Sequence, residues 1–253
     1  METEIISFHS FRRGTGKSTL VANLAGLVAA RGQRVAVVET AFHAPCMHLF
    51  FNLPEAEIGS CLNDYFTGKC QITQATYDVT DRQDQRLPGR IFLVPSSPKV
   101  TDVVRALRHP YSFEQLQQGL EMLKQVHQPD YIFLDNAAGL HEDTLLSIAS
   151  CNTMLLLLRP DQQDYQGTAV TLEIAQNLSV PCPLLVMNNV PETLDRQQAL
   201  RQLQEAYQCQ ALAILPHSER ILEAASARII TLQDPKDPIV AVFKQVLDGL
   251  SHS

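Results

Sequence analysis

The segment Arg12-Arg13-Gly14-Thr15-Gly16-Lys17-Ser18-Thr19 lies between an apolar run, Ile5-Ile6-Ser7-Phe8, and a helix-like stretch from Leu20 to Ala30. A strand, a Gly-Lys-Ser loop and a helix in that order are how a chain holds nucleotide phosphates. Backbone N–H groups of Arg13, Gly14, Thr15, Gly16, Lys17, Ser18 and Thr19 and the positive end of the helix would meet the anion, and Lys17 neutralises it. The Ser18 hydroxyl is placed to sit on Mg²⁺. The strict pattern G-x-x-x-x-G-K-[ST] opens on a glycine, and Phe11 stands at that position here. The plainer reading is a polar strand-to-helix loop; the flanking strand and helix argue against it.

The same alternation continues along the chain. Arg34-Val38, Arg90-Val94, Tyr131-Asp135, Thr153-Leu158, Pro183-Asn188 and Ala211-Pro216 are continuous apolar runs without polar alternation. Such strands are buried on both faces, which is the property of parallel sheets. Helical spacing separates them, with Phe113, Leu116, Leu120 and Leu123 on one face of the stretch from Ser112 to Val126, and similar patterns over Glu142 to Ser150 and Gly167 to Leu178. The expectation is one doubly wound α/β domain spanning 1–253, a mostly parallel sheet of about seven or eight strands with helices on both faces. Residues 70–90, with Asp78, Asp81, Arg82, Asp84, Arg86 and Pro88, read as an exposed loop. The closing stripe Val242, Phe243, Val246 and Leu250 reads as a helix docked on the sheet; with Lys244 as its one basic residue it is a poor membrane anchor.

Composition narrows the partners. A net charge of -7 and a pI near 5.6 disfavour generic binding to DNA or anionic membrane. Arg82, Arg86, Arg90, Arg105 and Arg108 are the candidates for a local basic patch. The acidic start Met1-Glu2-Thr3-Glu4 does not read as a signal peptide, and no apolar run approaches the ~20 residues of a membrane span. The six cysteines are scattered without a Cys-x-x-Cys pair, as expected of free thiols filling the core of a cytoplasmic protein.

Asp135 ends an apolar strand and precedes Asn136-Ala137-Ala138-Gly139. A carboxylate at that edge can hold Mg²⁺ through water, and the small residues after it can sense a γ-phosphate; the alternative is a cap on the helix near Glu142. Glu39 ends another strand at the same edge, as a second Mg²⁺ group or a solvated carboxylate. Asn188 carries a donor and an acceptor suited to an adenine edge, or else forms a turn. Pro216 closes the next strand, where it would line a base pocket.

In this order, the marks resemble the MinD/ParA family of deviant-Walker P-loop ATPases over essentially the whole chain. The run Leu158-Arg159-Pro160-Asp161-Gln162-Gln163-Asp164-Tyr165 adds to the likeness. The resemblance implies binding of ATP or ADP with Mg²⁺ and ATP-dependent homodimers in which a signature lysine reaches the partner's phosphates. It also implies hydrolysis under the control of a protein partner or cargo adaptor. A nitrogenase-reductase-like relative would carry a cysteine shortly after Asp135; none follows here.

The chain departs from the family pattern at three places. Arg12 replaces the signature lysine and keeps its charge with a planar donor fork, suited to an arginine finger in trans. Arg13 replaces a glycine, so the freedom to take positive φ at that backbone position is lost. Glu39-Thr40-Ala41 replaces Asp-x-Asp, so Ala41 lacks the carboxylate that helps position the attacking water, and Glu39 is a methylene longer. Slow intrinsic hydrolysis, or a non-hydrolysing scaffold, follows from that. His43 and Asp164 are the candidates to replace the missing group.

Overall fold

The computed structural model describes residues 2–83, 85–106, 111–180 and 182–251; Arg108 and Asp84, and the side chains of Arg105 and Cys182, lie outside the described residues. The described strands are β1 (Glu4–Ser10), β2 (Arg34–Glu39), β3 (Tyr77–Asp78), β4 (Arg90–Val94), β5 (Tyr131–Asp135), β6 (Thr153–Leu158), β7 (Cys182–Val190) and β8 (Gln210–Pro216). They form one sheet in the order β3-β4-β2-β5-β1-β6-β7-β8. Every described pairing is parallel except β3 with β4. The eight strands and the mostly parallel sheet match the sequence expectation.

The helices are α1 (Lys17–Ala30), α2 (Met47–Phe50), α3 (Leu62–Phe66), α4 (Val100–Ala106), α5 (Phe113–His127), α6 (Glu142–Ala149), α7 (Gln162–Asn177), α8 (Arg196–Tyr207), α9 (Glu219–Ala224), α10 (Ile230–Gln233) and α11 (Pro238–Leu250). Side chains alternate across each strand. Ile6, Phe8, Val35, Val37, Phe133 and Leu155 pack on one face with α1, α10 and α11. Ala36, Val38, Ile132 and Leu134 pack on the other with α5, and Leu156, Leu158, Leu185 and Met187 with α7 and α8. This burial on both faces explains why the strands carry unbroken apolar runs.

α1 is enclosed almost all round: every residue from Leu20 to Ala29 is buried. Its Asn23 is satisfied there, with Oδ1 accepting from the Thr231 N–H and the backbone carbonyl accepting from the Thr231 hydroxyl. Other helix starts follow capping chemistry. Ser112 and Gln115 form a reciprocal capping box at α5. Asp237 accepts from the Ile239 N–H ahead of α11, with Pro238 in its first turn.

Residues 70–90 differ from the expected exposed loop. Ile72, Ala75, Val79 and Thr80 are buried, and β3 extends the sheet. The charged residues alternate with these anchors: Asp78 accepts from Thr80 and Arg90, and Arg82 pairs with Glu57. Arg82 and Arg90 are thus paired with acids, not gathered into a basic patch.

The C-terminal stripe docks as expected. Phe243, Val246 and Leu250 are buried in the α1 face of the core, and Val242 is half-buried beside them. No described helix is long and apolar enough to cross a membrane. Truncation Phe243→Ala is expected to lower the unfolding free energy by about 3–5 kcal/mol, read from urea denaturation. A loss under about 1 kcal/mol would show that α11 is not packed as described.

Candidate nucleotide-binding site

The register of the central strands gathers the site at one sheet edge. Glu39 of β2 lies opposite Asp135 of β5, and Phe8 of β1 lies opposite Asp135 on its other side. The chain leaving β1 forms the loop that opens α1, so the glycine loop and both carboxylates meet at the C-terminal ends of the strands, where open α/β sheets bind ligands.

Positive φ falls on Gly14 and Gly16, not on Arg13, so the arginine in the glycine's place is unstrained and stands exposed. Gly16 sits at the start of α1, which has no side-chain cap, leaving its first-turn N–H groups for an anion. A Cβ on Gly16 would collide with the Asn188 side chain. That side chain donates from Nδ2 to the Thr15 carbonyl at 2.7 Å, and its Oδ1 accepts from the Asn189 N–H. Asn188 therefore braces the loop as well as bordering the cleft beside it.

Lys17 is buried, with Nζ 3.9 Å from Asp135 Oδ1. That separation suits charge attraction but is too long for a hydrogen bond. Ser18 donates its hydroxyl to Asp135 Oδ2 at 2.8 Å. Asp135 is fully buried, and its Oδ1 has no hydrogen-bond donor. Burial raises its carboxyl above the usual range, against Lys17 and Ser18, which pull it down. Asp135 is not a helix cap; α6 begins after His141.

Glu39 is also fully buried. Its Oε1 accepts from the Cys46 and Met47 N–H groups, and Oε2 from the Ser96 N–H at 2.9 Å. Burial pushes its carboxyl up to about 7, while these three donors favour the anion. It is thus no solvated carboxylate: it anchors the loop after β2 and the loop after β4. Beside it, Thr40 donates to Asn136 Oδ1, and Asn136 donates to the Ser7 hydroxyl, tying β2, β5 and β1 together.

Arg12 turns to its own chain. Nη1 lies 2.9 and 3.0 Å from the two oxygens of Asp161, and Nε lies 3.6 Å from Asp164. Asp161 also caps α7 by accepting from the Asp164 N–H. Asp164 is buried and accepts from the Arg159 N–H, so it serves the Arg12 and Arg159 cluster. His43 faces His141, with ring centroids 6.0 Å apart; burial lowers its pKa and Asp143 opposes the shift. Ala41 is buried and supplies no polar group.

Beside the loop lies a cleft of about 350 Å³, bordered by Gly14, Gly16, Thr19, Asn188, Pro216, Ile221, Ser226 and Arg228. A smaller recess continues along Gly14 to Thr19, past Cys46, Phe50 and Ser226. The volume is within the range of small-ligand pockets. Structure thus brings together Gly14, Gly16, Lys17, Ser18, Thr19, Asp135, Glu39, Asn188 and Pro216, with Arg12 and Arg13 at the loop's start. Sequence reasoning missed Asp161 as the partner of Arg12, and Cys46, Phe50, Ser226 and Arg228 as cleft residues. Asp161 lies in the Leu158–Tyr165 run but nothing there names its partner, and the four cleft residues carry no motif; only the fold places them.

Such a loop on such a sheet defines a P-loop nucleotide-binding protein. Residues 6–231 match the CobQ/CobB/MinD/ParA nucleotide binding domain, and the chain belongs to that family. An uncharacterized ATP-binding protein of Methanocaldococcus jannaschii is 23% identical over 243 residues, covering 95% of this chain and 85% of the relative. The structure is similar to the septum site-determining protein MinD of Pyrococcus horikoshii complexed with Mg-ADP, at a TM-score of 0.81 and 19% identity over 98% of this chain and 96% of that one. It is likewise similar to the MinC:MinD cell division protein complex of Aquifex aeolicus, at a TM-score of 0.82 and 17% identity over 99% of this chain and 96% of that one.

His9 of β1 is wholly buried near Lys17 and His141, and neither ring nitrogen has a hydrogen-bond partner. Burial first, then Lys17 and His141, lower its pKa from 6.5 to about 3. Between those values the unfolded chain binds a proton that the folded one refuses. Stability is therefore intact above 6.5 and falls as pH drops toward 3. His9→Leu is expected to flatten this acid loss by up to about 1.4 kcal/mol per pH unit, measured from urea midpoints at about pH 7 and about pH 5. An unchanged slope would show that the imidazole is charged or hydrogen-bonded in the folded protein.

Proposed function

We propose that this protein is a MinD/ParA-type ATPase acting as an ATP-dependent dimerisation switch, in one domain spanning the chain. The observation that carries the reading is the meeting of Lys17, Ser18 and the orphaned Asp135 Oδ1 beneath an open helix N-terminus. The Pyrococcus relative named with Mg-ADP and the Methanocaldococcus relative named as ATP-binding support the choice of ligand.

The loop N–H groups and Lys17 bind the phosphates, with Asn188 bracing the loop and Pro216 bordering the base. The hard oxygens of Ser18 and Asp135 suit Mg²⁺, with Glu39 contributing the lone pair left on Oε2. Mg²⁺, when bound, neutralises phosphate charge and orients the terminal phosphate. In hydrolysis a water adds to the γ-phosphorus, the bond to the bridging oxygen breaks, and ADP leaves. Lys17 and the partner's copy of Arg12 meet the developing charge. The dimer would form a surface for a protein partner or cargo adaptor, as the complex of Aquifex MinD with MinC illustrates for a relative.

Lys17→Ala is expected to lose tight binding of a fluorescent ATP analogue in the presence of Mg²⁺; unaltered affinity would overturn the reading. A second reading, a nucleotide-bound scaffold without turnover, is favoured by Ala41 and by the engagement of Asp164 elsewhere. Phosphate release measured beside oligomeric size separates the two.

Arg12 reaches a partner only by leaving Asp161. The side chains are 33% and 40% exposed, so the pair is worth on the order of 1 kcal/mol. Asp161→Asn is expected to lower the ATP concentration for dimerisation several-fold by light scattering, while Arg12→Ala stays monomeric. Dimers of Arg12→Ala would overturn the in-trans role.

A further inference from the structure

Cys46 places a thiol where a phosphate-binding loop has no evident need of one. The residue follows Pro45 at the start of α2, lines the recess beside Gly16 and Lys17, and is partly open to it. One ligand atom each from Glu39, Cys46 and Asp135 all lie within 4.8 Å of one another. Two of the three groups are fully buried carboxylates. Asp135 Oδ1 receives no hydrogen bond, and Glu39 Oε2 receives only one, from Ser96. The cluster therefore offers two carboxylates with acceptor capacity left and a sulfur that borders the recess.

A carboxylate pair alone suits a hard cation. Sulfur changes the preference: Mg²⁺ takes oxygen ligands and avoids thiolate, whereas Zn²⁺ and Cd²⁺ accept thiolate and carboxylate together. We propose that Glu39, Cys46 and Asp135 form a site for a thiophilic divalent cation of the Zn²⁺ class in the nucleotide-free protein. A tetrahedral shell on Zn–O and Zn–S bonds has edges of about 3.3–3.8 Å, so the three groups close by about an ångström on the ion. The recess beside Cys46 would supply a water as the fourth ligand. Coordination replaces the Cys46 thiol proton, which passes to solvent. The Cys46 N–H already donates to Glu39 Oε1, so the ion fastens the loop after β2 to both strands at once.

This inference goes beyond the nucleotide reading and stands without it. The test uses the full chain, free of nucleotide and Mg²⁺, titrated with Cd²⁺ and followed through the ultraviolet sulfur-to-cadmium charge-transfer band. One Cd²⁺ per chain is expected, displaced by Zn²⁺. Cys46→Ser should lose the band and weaken Zn²⁺ binding at least tenfold, whereas Cys61→Ser keeps both. In the unaltered chain, Zn²⁺ should slow alkylation of Cys46 by iodoacetamide, located by mass spectrometry, so the result does not hang on the variant folding. No band, a band that survives Cys46→Ser, or Zn²⁺-independent alkylation overturns the proposal. Binding of the ATP analogue with Mg²⁺ is read on the same preparation, and its failure would count against the proposed function alone.

Discussion

Two carboxylates buried side by side at the end of a parallel sheet set the terms for everything around them. Glu39 and Asp135 are register partners on β2 and β5, and neither is exposed. Buried charge is costly unless donors or cations compensate it. The compensation for the Glu39 carboxylate comes from the backbone N–H groups of Cys46, Met47 and Ser96, which fix two loops, and the Ser96 hydroxyl adds a bond to the Glu39 carbonyl. That for Asp135 comes from Ser18 and, at longer range, Lys17. The loop after β1 is thereby drawn onto the same edge. The carboxylates act as the fixed points, and the loops take their shapes from them.

Arg12 sits outside this buried centre and follows different physics. Its contacts with Asp161 and Asp164 join the loop after β1 to the start of α7, yet solvent reaches the Arg12–Asp161 pair. An exposed ion pair holds a geometry while remaining easy to exchange for another acceptor. The site thus combines a buried interior, where Glu39 is held by three backbone donors, with a charged arm whose partner is replaceable.

Much of the fold was legible because burial on both faces leaves an unmistakable apolar run. β2, β4 and β6 could be read to within a residue or so of their limits. β3 could not: with two residues, it has no pattern, and its existence depends on pairing with β4. The glycine loop, Asp135 and Glu39 stood out as a strand-edge constellation. What Glu39 does was not legible, because its partners are backbone groups that carry no residue identity. The Arg12–Asp161 contact joins positions 149 residues apart and needed the sheet order to bring them together. Cys46 read as core filler because a single thiol says nothing until its neighbours are known. Asn188 read as a group for an adenine edge; the structure shows it bordering the cleft and donating to the Thr15 carbonyl, a backbone group that sequence alone does not advertise.

Phe11, the residue that breaks the strict glycine-loop pattern, has its own seat. A Cβ on Gly167 of α7 would strike the Phe11 ring, so the helix surface there is hollowed to admit it. The loop's first residue is thus riveted to α7, and its last residues are the first turn of α1. The glycines between the two are a short tether between helices on opposite faces of the sheet. Any sliding of α7 against α1 must stretch or slacken that tether, and filling it with an anion must resist the slide. A bulky aromatic where a glycine is customary ties the phosphate cradle to the helix on the far side of the sheet.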